Sequence, residues 1–301
     1  CSGIGDAIPT VLTMTVVPIL GAGSSMADYR IGFKLWALII AVVFVISELV
    51  CVACVPERPV ACDEKPGKIS DMFKALFKND QAMTVVVSII LVYTSLNICG
   101  NLVLYFFRFD VGNEGAYSIF AAVAFAAQVL VMMVIPLLRK KFSKSQLFIS
   151  GFIIQIAGFA VILIMAFAKL YTPQSWYILC LPGILIYLGY GMLNVIMTIF
   201  LSDSVDYGEV MNGTREESVI FSMQTFTVKL ASGVAVFLAG LVVDWIHLDT
   251  AAAVQTQDTL DDLRMWMTIP SVILLIVGIF VFKRFYKLDD TRMEEIKSKL
   301  N

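Results

Sequence analysis

Residues 201–245 read LSDSVDYGEVMNGTREESVIFSMQTFTVKLASGVAVFLAGLVVDW. The first part is acidic, with Asp203, Asp206, Glu209, Glu216 and Glu217 around a single base, Arg215. It reads as a loop. From Ser218 to Trp245 runs an apolar segment that holds one cation, Lys229, near its middle. At ~1.5 Å per residue such a segment crosses a ~30 Å hydrocarbon core. A charge at the bilayer centre costs about 2.5–3.5 kcal/mol, so charges there usually face an interior cavity and mark a pathway. Thr225, Lys229 and Ser232 recur at i, i+4 and i+7, with Gln224 beside them. That spacing puts them on one helical face. Ala231, Ala235 and Ala239 form a second row, suited to close packing against another helix. The segment therefore predicts a membrane helix with one packing face and one polar face centred on Lys229.

The rest of the chain fits that reading. Of 301 residues, 59% are hydrophobic and 15% charged, against about 25% charged in soluble domains. The predicted fold class is an all-α integral membrane protein. Eight apolar segments are predicted, at Ala7–Ala27, Ile31–Val55, Ala82–Phe107, Ala116–Leu138, Leu147–Ala168, Trp176–Ser202, Ser218–Trp245 and Leu263–Phe282. Formal net charge is −2, with no basic excess to suggest a nucleic-acid partner. Cys51 and Cys54 form a C-x-x-C with no second ligand pair, and read as small residues on a membrane helix.

Orientation follows from lysine and arginine. Sixteen fall on one set of connections, while the other side holds five: Arg30, Lys34, Arg108, Lys169 and Arg264. The richer side is predicted to be cytoplasmic, which places the C-terminus in the cytoplasm. Residues 57–80 make the longest connection on that side. It opens with Pro59, Pro66 and Gly67, and continues into a short amphipathic stretch with Ser70 as a candidate cap. It divides the helices two and six. The domains read from this are 1–56, 57–80 as a middle loop, a six-helix bundle over 81–286, and a tail over 287–301. Six helices make half of a major-facilitator transporter, so four further helices are expected before Cys1.

Other polar residues fall at telling positions. Tyr93, Asn97 and Asn101 stand at i, i+4 and i+8 of the third segment, and Asn194 lies deep in the sixth. They are candidates for a cavity wall or for hydrogen bonds between helices. Gln128 and Gln155 read as packing residues. Asp203, Asp206 and Glu209, with Arg215 the one base among them, are expected to pair with basic groups across the cytoplasmic face; the basic run Arg139–Lys144 reads either as topology alone or as their gate partner, with Arg139 and Lys140 the candidates. Such pairs would form and break as a gate.

At these residues a family resemblance enters. Asp203-Ser-Val-Asp206-Tyr-Gly-Glu209 followed by Gly213-Thr-Arg215-x-Glu217 resembles the loop motif of the glycoside–pentoside–hexuronide:cation symporters. Phe221-Ser-Met-Gln224-Thr225-Phe-Thr-Val-Lys229 is similar to the eleventh helix of the melibiose permeases in that family, and Lys78-Asn79-Asp80-Gln81 to the start of their seventh. The resemblance covers nearly the whole chain and implies the family's helices five to twelve. It implies sugar-side positions at Gln224 and Thr225, a lysine near sugar and cation at Lys229, and a seventh-helix asparagine at Asn97. Asn194 stands where the melibiose permeases carry tryptophan.

The implied function is symport of a sugar or glycoside with Na⁺ or H⁺ across the cytoplasmic (inner) membrane, by alternating access between two six-helix bundles. No cofactor beyond the coupling cation is implied, and the cation's carboxylates are expected on helices before Cys1. The partners implied are the sugar, the lipid bilayer and those preceding helices. Two other readings stay open: a sodium-dependent lysolipid or other small-solute carrier of the same build, and a membrane enzyme using Lys229 as base or nucleophile.

Overall fold

The structure, a computed structural model, describes residues 12–13, 16–21, 26–54, 77–213, 217–250, 252 and 254–300. The chain divides into two compact units, Cys1–Gly67 and Lys68–Asn301. In the first, helix α1 (Met26–Cys54) is the main element. Trp36 donates its indole N–H to Thr13 Oγ1 at 2.8 Å, which ties α1 to the preceding helical piece.

The second unit is a helical bundle. Its long helices are α2 (Asp80–Tyr105), α3 (Ala116–Leu138), α4 (Lys144–Phe167), α5 (Cys180–Asn212), α6 (Glu217–Trp245) and α7 (Gln257–Phe285), followed by a short α8 (Asp290–Leu300). Seven described helices, α1 to α7, are long and apolar enough to cross a membrane. The predicted Ala7–Ala27 segment lies largely outside the described residues. So does most of the amphipathic stretch after Ser70.

Local chemistry sets the ends of these helices. Asn79 caps α2 by accepting from the Ala82 N–H at 2.9 Å. Ser143 and Gln146 close a reciprocal capping box on α4. Thr256 caps α7 through the Thr259 N–H. On α8 the cap is Asp289, which accepts from the Arg292 N–H at 2.8 Å.

One boundary differs strongly from expectation. The acidic stretch after Leu201 is not a loop: α5 continues to Asn212 and stops where Gly213 adopts φ 72°. A glycine in the left-handed region is the common helix stop. Asp203, Asp206 and Glu209 therefore ride on the last three turns of a helix, with fixed directions.

Two helices organise the bundle. α5 packs between α3 and α4, and α2 is flanked by α5, α6 and α7. The α4–α5 seam needs glycine. A Cβ on Gly189 would stand 2.6 Å from both the Gln155 nitrogen and the Gly151 carbonyl oxygen. Around this seam lies an aromatic core in which Phe148 meets Phe152, Phe200 and Phe282 with ring centroids 4.5–5.1 Å apart. The alanine row on α6 is buried as its spacing predicts: Ala231, Ala235 and Ala239 face inward.

Candidate functional site

The face that matters is the one the bundle leaves uncovered. α2 is buried on most sides but keeps a half-buried stripe along Met83, Val87, Ile90, Asn97, Asn101 and Leu104. Gly100, exposed in the same stripe, has no atom near the place a Cβ would occupy. Asn97 and Asn101 each donate to the carbonyl one turn back, Tyr93 O and Asn97 O, at 2.7 Å. Their amide oxygens accept no hydrogen bond from the described residues.

Asn194 on α5 meets this stripe. Its Nδ2 donates to the Tyr93 hydroxyl at 2.7 Å and to the Tyr190 hydroxyl at 3.4 Å. The Tyr93 and Tyr190 rings meet edge to face at 5.5 Å, and Tyr187 joins Tyr190 to Phe125 on α3. A wall of amide and phenol groups backed by aromatic edges results. Sequence reasoning found Tyr93, Asn97, Asn101 and Asn194 but missed Tyr187 and Tyr190. Their signal was available, since Tyr187, Tyr190 and Asn194 recur at i, i+3 and i+7.

Below Asn194 a polar column continues down α5. Thr198, Ser202 and Asp206 follow at successive four-residue steps, the first two exposed and the third half-buried. At its foot is an ion cluster. Lys144 at the start of α4 bonds Asp203, and both side chains are buried. Asp290, at the start of α8, accepts from Lys144 at 3.4 Å and from Arg139 at 3.3 Å. Arg139 also donates to Phe142 O at 3.0 Å. The partner of Asp203 is thus Lys144, while Arg139 serves Asp290. Lys140 is exposed and makes no ion pair among the described residues. Glu209 is half-buried on the same helix, and Arg215 lies outside the described residues.

Two further ties close this end. Asn79 Nδ2 donates to Ser204 O at 2.7 Å, and Gln81 accepts from the Lys287 N–H at 2.8 Å. The stretch Lys78–Gln81 therefore fastens the start of α2 to α5 and to the end of α7. Tyr286 sits beneath the cluster on the rings of Phe200 and Phe282. Burial, and then the carboxylates of Asp203 and Asp290, push its phenol well above the usual tyrosine range, so it stays neutral.

On α6, Lys229 and Thr225 are exposed and Gln224 is half-buried. Thr225 back-bonds to Phe221 O at 3.3 Å. Lys229 forms no hydrogen bond or ion pair with the described residues, which leaves its ammonium available on the face opposite the alanine row's neighbours.

The opposite end of the bundle holds a site that sequence reasoning did not find. α2 ends in a π-helical turn, Phe106–Asp110. That turn aims Asp110 at Arg264 on α7, and the guanidinium answers with two bonds, Nε to Oδ2 at 2.7 Å and Nη2 to Oδ1 at 2.6 Å. Both side chains are nearly inaccessible, at 2% for Arg264 and 4% for Asp110. Tyr171 donates a third bond to Asp110 at 2.7 Å. Its phenol is held above the ordinary range by burial and by the adjacent carboxylate.

Comparison with known proteins places this arrangement. A family model described as MFS/sugar transport protein matches residues 2–290. The raffinose carrier protein of Pediococcus pentosaceus is 24% identical across 99% of this chain and 46% of its own length. The isoprimeverose transporter of Lactiplantibacillus pentosus is 24% identical across 95% of this chain and 58% of its own. A putative sulfoquinovose importer of Escherichia coli K12 is 22% identical across 97% and 60%. The chain spans about half the length of these curated relatives. All three are named for carrying a solute, not for catalysing a reaction. The apolar helices, the open polar wall and the family match lead to one statement: this chain belongs to the MFS/sugar transport protein family.

Proposed function

We propose that this chain supplies one bundle, and part of the preceding one, of a carrier that moves a sugar or glycoside with Na⁺ or H⁺ by alternating access. The carrying observation is the polar face of α5, where Asn194 bonds the Tyr93 and Tyr190 hydroxyls and Thr198, Ser202 and Asp206 follow at four-residue steps toward the end that holds the Lys144–Asp203 pair. A sugar offers hydroxyls that both donate and accept, with apolar ring faces between them. Amides and phenols edged by aromatic rings match that pattern. The names of the relatives, a raffinose carrier and an isoprimeverose transporter, support a glycoside rather than a lipid as the solute.

In this reading the two ends of the path differ in role. The Lys144–Asp203–Asp290 cluster closes the cytoplasmic end while the site faces outward, and separates when it faces inward. Lys229, exposed on α6, couples solute and cation: its ammonium interacts with a carboxylate that also binds the cation, so occupancy of one affects the other. The carrier sits in the cytoplasmic membrane with α8 in the cytoplasm, as the lysine and arginine bias directs.

Uptake by the full-length protein in proteoliposomes tests this. Labelled glycosides are supplied with an inward Na⁺ gradient, an inward H⁺ gradient, or neither. Sugar flux that rises with one of the gradients is expected, and Lys229→Ala should abolish the rise. Coupled uptake that persists unchanged in Lys229→Ala removes the lysine from the mechanism, and no sugar flux under any gradient removes the sugar reading.

A further inference from the structure

On the far flank of α6 the bundle has a second opening. Thr94 and Ile98 of α2, Leu238 of α6, and α7 from Asp262 to Leu274 enclose a groove of about 520 Å³. That volume is in the range of ligand sites, ~300–1,000 Å³. Its Thr94 falls between Ile90 and Asn97 on the α2 stripe, so the groove borders the polar face, while α6 and α7 supply the rest of its lining. Leu238 follows Lys229 by nine residues, which at ~100° per residue puts the two on opposite sides of α6.

We propose that this groove binds one phospholipid with a primary-amine headgroup, of the phosphatidylethanolamine class. Three observations carry this. The first is length. Asp262 to Leu274 rises about 18 Å along α7, close to the ~15 Å depth of one leaflet. A lipid of a single leaflet spans it from headgroup to chain end. The second is level. Trp266 lines the groove near its mouth and packs on Trp245, with ring centroids 5.4 Å apart. Tryptophans gather where headgroups meet hydrocarbon, so Asp262, one turn above Trp266, stands at headgroup height.

The third observation is charge. Asp262 has no partner among the described residues, and no lysine or arginine lines the groove. Arg264 is close in sequence but is fully used by Asp110 and Asp261. An anionic headgroup would meet an uncompensated carboxylate here. A primary ammonium can donate a charge-assisted hydrogen bond to it, and a quaternary choline cannot. Below the mouth the lining turns apolar through Met265, Ile269 and Ile273. Thr94 at the floor is buried with its hydroxyl unpaired, although Thr84 and Ser88 on the same helix back-bond at 2.8 and 2.9 Å.

The full-length protein in phosphatidylglycerol nanodiscs tests the assignment. A small fraction of phosphatidylethanolamine carrying a photoreactive diazirine in its acyl chain is added and irradiated. Cross-links are expected to concentrate on peptides holding Met265–Leu274 and Leu238. Against this phosphatidylglycerol background, unlabelled phosphatidylethanolamine should displace the probe about tenfold better than phosphatidylcholine. Asp262→Asn should erase that preference while leaving the labelled peptides the same. Thr94→Val should change nothing, since an acyl chain makes no hydrogen bond there. Label spread evenly over the apolar helix faces overturns the proposal, as does equal displacement by phosphatidylethanolamine and phosphatidylcholine. So do loss of labelling in Thr94→Val, which would point to a polar ligand, and cross-linking to another polypeptide. The wild-type competition needs no variant to fold.

Discussion

The two ends of the bundle are both closed by buried charge, but they are built differently. At one end Arg264 grips Asp110 with two parallel bonds, a planar fork on a planar carboxylate, with Tyr171 as a third donor. Every group is enclosed and satisfied. At the other end Lys144 is a point charge shared between two carboxylates, Asp203 buried and Asp290 with its side chain 40% exposed. Arg139 competes for Asp290. A bidentate guanidinium fixes direction as well as distance, whereas an ammonium tolerates rearrangement. The fork is made to hold α2 to α7. The shared cluster can exchange partners, as the gate proposed above requires.

Arg264 gives the largest expected effect. Arg264→Ala leaves Asp110 buried and uncompensated, a loss of about 3–5 kcal/mol. Arg264→Lys should recover little, because a lysine cannot supply the fork. Replacing both partners with apolar residues, Arg264→Met with Asp110→Leu, should recover most of the stability, since a buried pair often exchanges for packed hydrocarbon at no cost. Denaturant unfolding in micelles measures all three. If Arg264→Lys matches wild type, the fork is not what secures this end and the contrast between the ends fails.

Lys144 comes next. Lys144→Ala leaves the Asp203 carboxylate buried without its cation, a loss that would be about 3–5 kcal/mol were it not lessened by the nearby Arg139. Lys144→Arg should be tolerated, in contrast to the swap at Arg264. The functional readout is access. Thiol labelling of Thr198→Cys, an exposed position on the α5 column, should speed up in the Lys144→Ala background and stay slow with Lys144→Arg. Unchanged labelling in Lys144→Ala would mean that this cluster does not close the path.

How much of this the sequence revealed depends on the range of the signal. Helix positions were legible because hydropathy is local: Ala116–Leu138 has the predicted bounds, and the α6 alanine row buries the predicted face. The end of α5 was misread for a local reason too. Ser202 to Asn212 is polar because it leaves the hydrocarbon, and polarity there says nothing against helix; the stop signal was Gly213. The ion pairs were legible only by side. Charge bias grouped Arg264 with Arg108, and Lys144 with Arg139. It could not match Lys144 to Asp203 across 59 residues, or Arg264 to Asp110 across 154. Asp110 was hidden further by the π-helical turn, which shifts its direction by a step that a regular helical wheel does not show. The Tyr93–Asn194 contact joins two residues each flagged separately, at a distance only tertiary packing supplies.

The smallest expected effect is at Asp290, and it separates the two ends most cleanly. Its pairs with Lys144 and Arg139 are 3.3–3.4 Å long and half in water, so Asp290→Asn should cost only about 0–1 kcal/mol. Salt should mimic it. Raising ionic strength from 0.1 to 1 M shortens the screening length from about 10 to 3 Å. That weakens the exposed Asp290 pairs and leaves the enclosed Asp110–Arg264 fork intact. Wild type should therefore lose a little stability in high salt, Asp290→Asn should lose none, and the Arg264→Ala penalty should be the same at both salt concentrations. Equal salt dependence in wild type and Asp290→Asn would show that the tail carboxylate adds nothing to the cluster, and would leave Lys144–Asp203 as the whole of the charge pairing at this end.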